Sequence, residues 1–249
     1  VTGHRKRLDQ LLVERGDAPS IAIAQAMIMA GEVRLGGLLT GRAPTAGMQL
    51  DSDTEIIAKS RPRFVSRAGE KLDAAIEQFG LSVSGLIALD VGASTGGFTD
   101  CVLQRGATRV HAVDVGHGQI DSKISADSRV LVQERVNARH GIALPEQVDL
   151  IVMDVSFISV TNVIPAVLPN LREGGQMVVL LKPQFEAKRG EVGKGGVILD
   201  MQLRARIVGR FAMWATENGL RVRNLARSSV VGSSGNEEFL IHLEPVQTL

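Results

Sequence analysis

The sequence predicts an α/β protein, with a doubly wound, mostly parallel sheet preceded by a small α+β unit. Three observations carry this. From about residue 86 onward short apolar runs alternate with helical stretches, the pattern of a parallel sheet wrapped by helices. A glycine-rich turn, Gly92 to Gly97, stands where the first of these runs gives way to a helix. The last two runs are separated by Gly232-Ser-Ser-Gly235-Asn236, a hairpin signal that predicts one antiparallel edge.

Residues 1–60 read as the small unit. Leu8, Leu11 and Leu12 lie on one face of a short helix that stops at Gly16. Ser20 caps a second helix, Ile21 to Ala30, ended by Gly31. Val33-Arg34-Leu35 and Glu55 to Ala58 read as short strands. A joint follows, with residues 61–67 as a basic linker. The stretch from Lys59 to Lys71 carries five positive charges and one negative charge, and Pro62 suits a linker.

Residues 68–249 form the large domain. Its opening helix runs from about Ser66 to Phe79 on Leu72, Ala75, Ile76 and Phe79. Strands are expected at Leu86–Val91, Arg109–Val115, Val130–Gln133, Val148–Val155 and Met177–Leu181, with helices at Phe98–Arg105, 159–168 and 200–218. Residues 221–231 and 238–244 are the terminal strands. Gln184 to Val197 lacks either periodicity and reads as a mobile loop over the site.

Composition narrows the function. There are 28 Lys plus Arg against 27 Asp plus Glu, a net charge of +1, which argues against a uniformly basic polyanion binder but allows a local basic face. Seven Phe, one Trp and no Tyr argue against an RNA-stacking platform. The single cysteine, Cys101, excludes a disulfide framework and a cysteine-rich zinc site, and reads as a packing residue. The five histidines show no metal-ligand spacing. No run reaches the length of a membrane span. The basic N-terminus leads into Asp9, Gln10, Glu14 and Arg15 rather than an apolar signal core. A cytoplasmic protein, away from membranes and monomeric, is expected.

The turn Asp90-Val-Gly92-Ala-Ser94-Thr95-Gly96-Gly97-Phe98 points to a ligand. In an open α/β sheet ligands bind beyond the carboxyl ends of the strands, and an acid ending the next strand, here Asp114, can accept hydrogen bonds from ribose hydroxyls. The glycine spacing is not the dinucleotide fingerprint and lacks the G-K-[ST] of a phosphate loop. A nucleoside without a pyrophosphate fits better, and S-adenosylmethionine is such a ligand. Candidate contacts are Asp90, Gly92, Ser94, Thr95, Gly96, Gly97, Phe98 and Asp114, with Asn137 after the third strand and Asp154. Phe157 is read chiefly as core packing.

Four charged residues stand at strand ends or a helix start: Lys71, Asp154, Lys182 and Glu238. Charges on buried strands are costly unless paired. Their order resembles the Lys-Asp-Lys-Glu tetrad of FtsJ-like ribose 2′-O-methyltransferases. Ser66-Arg-Ala-Gly-Glu-Lys71-Leu, Asp90-Val-Gly-Ala-Ser-Thr-Gly-Gly-Phe-Thr, Asp114-Val-Gly-His-Gly-Gln, Asp154-Val-Ser-Phe-Ile-Ser, Lys182-Pro-Gln-Phe-Glu and Ser234-Gly-Asn-Glu-Glu238 together resemble the TlyA family over nearly the whole chain. The resemblance implies a Rossmann-like class I methyltransferase domain behind a small domain similar to the RNA-binding domain of ribosomal protein S-four. It implies methylation of cytidine ribose in ribosomal RNA from S-adenosylmethionine, with ribosomal subunits as partners.

The chemistry is coherent beside the resemblance. A ribose hydroxyl is a weak nucleophile, and a neutral lysine can take its proton as the methyl moves. A lysine in that role needs a lowered pKa, from desolvation or a neighbouring cation. Lys182 is the candidate base, Asp154 its positioner, Lys71 the cation or ribose anchor, and Glu238 the partner of Lys71 or of the hydroxyl. Arg5, Lys6, Arg7, Arg34, Arg61, Arg63 and Arg67, with Arg42, are candidate phosphate contacts. Two other readings stand beside this one. One is an RNA-binding ribosome assembly factor without turnover. The other is the membrane-active protein implied by the family's haemolysin label.

Overall fold

The computed structural model describes residues 5–59, 62–193, 195–232 and 234–246. The chain forms two compact units, residues 1–61 and 62–249.

In the first unit, β1 (Lys6–Arg7) leads into α1 (Leu8–Glu14), followed by α2 (Ile21–Met29) and β2 (Val33–Leu35). Then come β3 (Gln49–Leu50) and β4 (Ile56–Ala58). Ser20 Oγ accepts the Ile23 N–H and so caps α2 as the sequence indicates. β2 pairs with β4 and β1 with β3, both antiparallel; two-residue strands such as β1 and β3 are too short to leave a periodic signal. Leu8, Leu11, Leu12, Met27, Ile28, Val33, Leu35 and Leu50 close a small core.

Asp9 sits fully buried at the edge of that core. It accepts from Arg7 Nε and Nη2 at 3.0 and 2.6 Å and from Gln25 Nε2 at 2.9 Å. A buried carboxylate survives only with such partners. The Arg7 guanidinium holds its carboxyl down at about 2.

The second unit opens with α3 (Arg67–Phe79) and β5 (Ile87–Val91), then α4 (Gly97–Gln104), β6 (Arg109–Val113), α5 (Ser122–Ser125), β7 (Val130–Gln133) and β8 (Val148–Met153). It continues through α6 (Ile164–Val167), β9 (Leu171–Leu181), α7 (Pro183–Glu186), α8 (Met201–Glu217), β10 (Leu220–Arg227) and β11 (Phe239–Pro245). Seven strands form one sheet in the order β10-β11-β9-β8-β5-β6-β7. β11 alone runs against its neighbours, and it is inserted between β9 and β10. The antiparallel strand is therefore not at the edge, as the hairpin pattern predicts, but one place inside it.

Alternate strand residues face opposite layers. Ala88, Val110, Leu150, Val152, Val178 and Leu240 pack under Leu72 and Ile76 of α3, Phe98 and Val102 of α4, and Ile124 of α5. Leu89, Val91, Ile151, Met153, Met177, Val179 and Ile241 pack under Ile164 and Val167 of α6 and Phe211 and Ala215 of α8. Burial on both faces is why the central strands read as continuous apolar runs. Asp90 follows the alternation onto the α4 side, where it has no exposed surface. Thr99 Oγ1 donates to its Oδ2 at 2.6 Å, and desolvation pushes its carboxyl up to about 7.

Three expectations change. The joint at 61–67 is not a free linker beyond residue 62. Phe64 is buried in the second unit's core, Arg63 pairs with Asp73 at 2.5 Å, and Asp100 accepts the Val65 N–H. The helix expected over 159–168 is a four-residue α6 between two 3-10 turns, because Pro165 and Pro169 interrupt its hydrogen bonds. Gln184 to Val197 is a packed excursion in its described part. Glu191 makes a two-point pair with Arg210 at 2.7 and 2.8 Å, and Ala187 and Val192 pack with Ile198, Leu203 and Ile207.

The two buried acids predict opposite pH responses. The stabilisation from the lowered Asp9 is complete above pH about 4 and is lost as pH falls towards 2. The raised Asp90 favours the folded state most below pH about 4, and that contribution fades as pH rises through about 7. Hydrogen exchange followed by mass spectrometry should show Asp9→Asn flattening the acid response of α1–α2 peptides. Asp90→Asn should flatten the decline of β5–α4 peptides between pH 4 and 7. Unchanged slopes would refute either assignment.

Candidate active site

The site is built where the carboxyl ends of β5, β6 and β8 meet. The Gly92 N–H donates to Val113 O at 2.9 Å and the Asp154 N–H to Val91 O at 3.0 Å, so the three chain ends are laced together. Gly92 has φ +84° and a Cβ there would lie 2.6 Å from Asp154 O. No side chain is accommodated, on both counts. Gly97 is crowded as well, because a Cβ would overlap Ser66 Oγ and lie 3.0 Å from Ala68 Cβ and the Gly69 nitrogen. This glycine brings the start of α4 against the start of α3. Ser94 adopts a left-handed φ of +48°, and its N–H donates to Asp114 Oδ2 at 2.8 Å. Asp114 Oδ1 accepts the Gly116 N–H at 2.6 Å. Each carboxylate oxygen of Asp114 is thus aimed by one backbone bond, with acceptor capacity left over.

A cavity of about 530 Å³ opens over these strand ends. Gly92, Ser94, Asp114, Asn137 and Asp154 line it, together with Val115, Gln119, Arg139, Ser156 and Phe157. Its volume is in the range that takes a nucleoside-sized ligand. A smaller space of about 90 Å³ adjoins, sharing Gly92, Ser94 and Asp154 and adding Ser66, Ala68, Thr95 and Phe98. Of the predicted nucleoside contacts, Gly96, Gly97 and Asp90 line neither space. Asp90 lies beneath the turn and holds it through Thr99, and the two glycines shape its backbone. Asn137 Oδ1 also caps the following 3-10 turn by accepting the Arg139 N–H at 3.1 Å.

The four charged residues stand as two ion pairs. Lys182 Nζ lies 2.7 Å from Asp154 Oδ1, in a contact that lacks the alignment of a hydrogen bond, and donates to Ser156 Oγ at 2.7 Å. Lys71 Nζ donates to Glu238 Oε2 at 2.5 Å. All four are at most 17% exposed at the side chain, so the pairs are largely shielded from water. Sheet register brings them together. Phe239 pairs with Leu181, which makes Glu238 and Lys182 the next residues beyond the same rung. The neighbouring acid Glu237 points elsewhere, to Arg204 at 3.0 Å and to Arg227. Gly232 makes room for Glu238, since a Cβ there would lie 2.4 Å from its Oε1.

Sequence reasoning misses or misplaces three features. Phe157 is 91% exposed with φ +64°, lines the cavity and lies 5.2 Å from the Phe185 ring, so it is not a core residue. Its position in Asp154-Val-Ser-Phe, three residues past a candidate site acid, is the available signal. Ser156 gave none beyond the same motif. Gln119 reaches Ser94 across the β6 loop, a contact no local pattern reveals. Cys101 is buried, with its thiol pushed up to about 12 by burial, as a packing residue should be.

The candidate phosphate contacts divide. Arg7 is bonded to Asp9, Lys6 to Glu14 at 2.7 Å, Arg5 to Asp51 at 3.6 Å and Arg63 to Asp73. Arg7 and Arg63 have donors engaged internally and act first as structural cations. Among the described residues Arg34, Arg42 and Arg67 are exposed with no ion-pair partner. Arg61 lies outside the described residues. Among the described residues no helix is long and apolar enough to cross a membrane.

Residues 64–244 match the FtsJ-like methyltransferase family. The chain is 44% identical over 242 residues to the 16S/23S rRNA (cytidine-2'-O)-methyltransferase TlyA of Mycobacterium tuberculosis, covering 96% of this chain and 90% of that one. It is 40% identical over 239 residues to Hemolysin A of Brachyspira hyodysenteriae, covering 95% and 98%. A solved structure titled as a hemolysin from Streptococcus thermophilus superposes with a TM-score of 0.72 at 38% identity, covering 99% of this chain and 90% of that one. The chain belongs to the FtsJ-like methyltransferase family and, within it, to the TlyA group.

Proposed function

We propose that the protein methylates the 2′-hydroxyl of a cytidine ribose in ribosomal RNA, using S-adenosylmethionine, with Lys71, Asp154, Lys182 and Glu238 as its catalytic tetrad. One observation carries the reading. Two shielded Lys–carboxylate pairs, Lys182 with Asp154 and Lys71 of α3 with Glu238, stand where β8, β9 and β11 end or begin, and Asp154 also lines the nucleoside-sized cavity. The name of the 44% identical relative from Mycobacterium tuberculosis points the same way for the substrate. Such a substrate places the work in the cytoplasm.

The cavity suits the donor. Gly92 lets the ends of β5 and β8 meet beneath the cavity where a Cβ would strike Asp154 O, and Asp114 presents a carboxylate at the end of the second strand. Asp114 would take the ribose hydroxyls, and Asn137 with the walls around Val115 would face the adenine. When bound, S-adenosylmethionine supplies an electrophilic methyl group on a cationic sulfur.

The protein's own work is alignment and proton handling. Asp154 and Ser156 hold the Lys182 side chain from two sides. In the proposed reaction Lys182 acts in its neutral form: having given up its own proton to solvent, Nζ accepts the proton of the 2′-hydroxyl as that oxygen takes the methyl group and the carbon–sulfur bond of the donor breaks. Lys71, held by Glu238, orients the ribose and adds positive charge near the developing alkoxide. Because the donor is already activated, holding oxygen and methyl in line contributes more than base strength. RNA would be held through phosphates. Arg34 in the first unit and Arg67 at the start of α3, exposed and without an ion-pair partner among the described residues, suit this.

Lys182→Ala should lower methyl transfer to unmodified ribosomal subunits by about 10²- to 10⁴-fold while donor binding, followed by calorimetry, persists. Full turnover by that variant would refute the base assignment. Binding of subunits without transfer of tritiated methyl by the wild-type protein would favour the assembly-factor reading. Gly92→Ala should abolish donor binding and cost about 1–3 kcal/mol of stability, read by denaturant unfolding.

A further inference from the structure

Two motif residues have no part in the chemistry above, yet they lie opposite each other. Ser159 ends the Asp154-Val-Ser-Phe-Ile-Ser segment after β8, and Glu186 ends the Lys182-Pro-Gln-Phe-Glu segment after β9. The Ser159 hydroxyl donates to Glu186 Oε2 at 2.5 Å, and the Val160 N–H donates to Glu186 Oε1 at 2.8 Å. Both carboxylate oxygens therefore bind one loop from the neighbouring strand end.

Between this clasp and the reactive pair the two segments run side by side. Lys182 reaches Asp154 and Ser156 at one end, Phe185 meets Phe157 at 5.2 Å in the middle, and Glu186 holds Ser159 and Val160 at the other. α7 is four residues long, with Pro183 at its start. A single turn does not hold its own conformation in water. Its placement, and with it the backbone of Lys182, depends on what grips its far end. The opposing loop is constrained as well. It passes through Phe157 at φ +64°, a conformation that persists only when its surroundings enforce it. Burial of Glu186 raises its carboxyl, and the bonds from Ser159 and Val160 offset that cost.

Building on the proposed reaction, we infer that Glu186 is a positioning residue. By clasping Ser159 and Val160 it locks α7 to the 154–160 loop and so sets Lys182 against Asp154 and Ser156. It touches neither donor nor RNA and acts through Lys182 alone. A glutamine can keep the clasp, since its carbonyl accepts from the Val160 N–H and its amide donates to Ser159 Oγ. An alanine cannot.

The test compares Glu186→Ala and Glu186→Gln with wild type in the full chain. Glu186→Ala should lower kcat about 10- to 100-fold, with the KM for subunits and the donor affinity unchanged. Glu186→Gln should restore most of that loss. A parallel reading needs no turnover. In protein carrying 13C-labelled lysine, the Lys182 Cε resonance, assigned by its absence in Lys182→Ala, should move in Glu186→Ala towards the position of exposed lysines and stay in place in Glu186→Gln. Equal loss in both variants, KM and donor affinity shifting together with kcat, or an unmoved Lys182 resonance would overturn the inference. An inactive wild-type protein with the expected resonance shifts would instead refute the proposed reaction and leave the clasp standing.

Discussion

The second unit depends on the close approach of backbone to backbone at the carboxyl end of β5. Val91, Gly92, Val113 and Asp154 are joined there by main-chain hydrogen bonds, and the space that a Cβ would occupy at Gly92 is filled by Asp154 O. This contact draws three strand ends into one floor. Above it the chain turns sharply into α4, while Asp90 and Thr99 brace the turn from within the core. The cavity, the orientation of Asp114 and the placement of Asp154 all follow from it.

Several buried or shielded charges are handled by pairing, with Asp90 the exception, its carboxyl raised by burial. Asp9 with Arg7, Lys71 with Glu238 and Lys182 with Asp154 each set a buried or shielded charge against its opposite. In the site this has a second consequence. A lysine held by two partners has few accessible rotamers, so much of the entropy of ordering it is already met before substrate arrives. Internal pairs of this kind take up part of the 28 basic and 27 acidic residues. Their near balance says little about the surface, because several arginines that look available in the sequence are committed within their own unit.

Most of the fold was legible because its signals are local. The strands of the second unit are buried on both faces and read as apolar runs, and Ser20 marks a helix start by capping chemistry. The glycine turn was legible because its backbone tolerates no side chain. Other features were hidden because they depend on residues far away in sequence. The insertion of β11 between β9 and β10 is a matter of pairing, to which a hairpin pattern is blind. Phe157 looks like a core residue by type, yet a positive φ turns it outward.

The sequence by itself determined the alternation of strands and helices, the glycine turn and the identities of the four charged residues. Each is written in residue type and spacing over a few neighbouring positions. Only the tertiary structure decided how those residues combine. Glu237 and Glu238 are chemically the same and adjacent, and it is the rung between Phe239 and Leu181, with the room left by Gly232, that turns Glu238 to Lys71 and Glu237 to arginines. The division of the four charged residues into two pairs has the same origin. A pairing across 167 positions, as between Lys71 and Glu238, leaves no trace in local pattern and exists only once the sheet has closed.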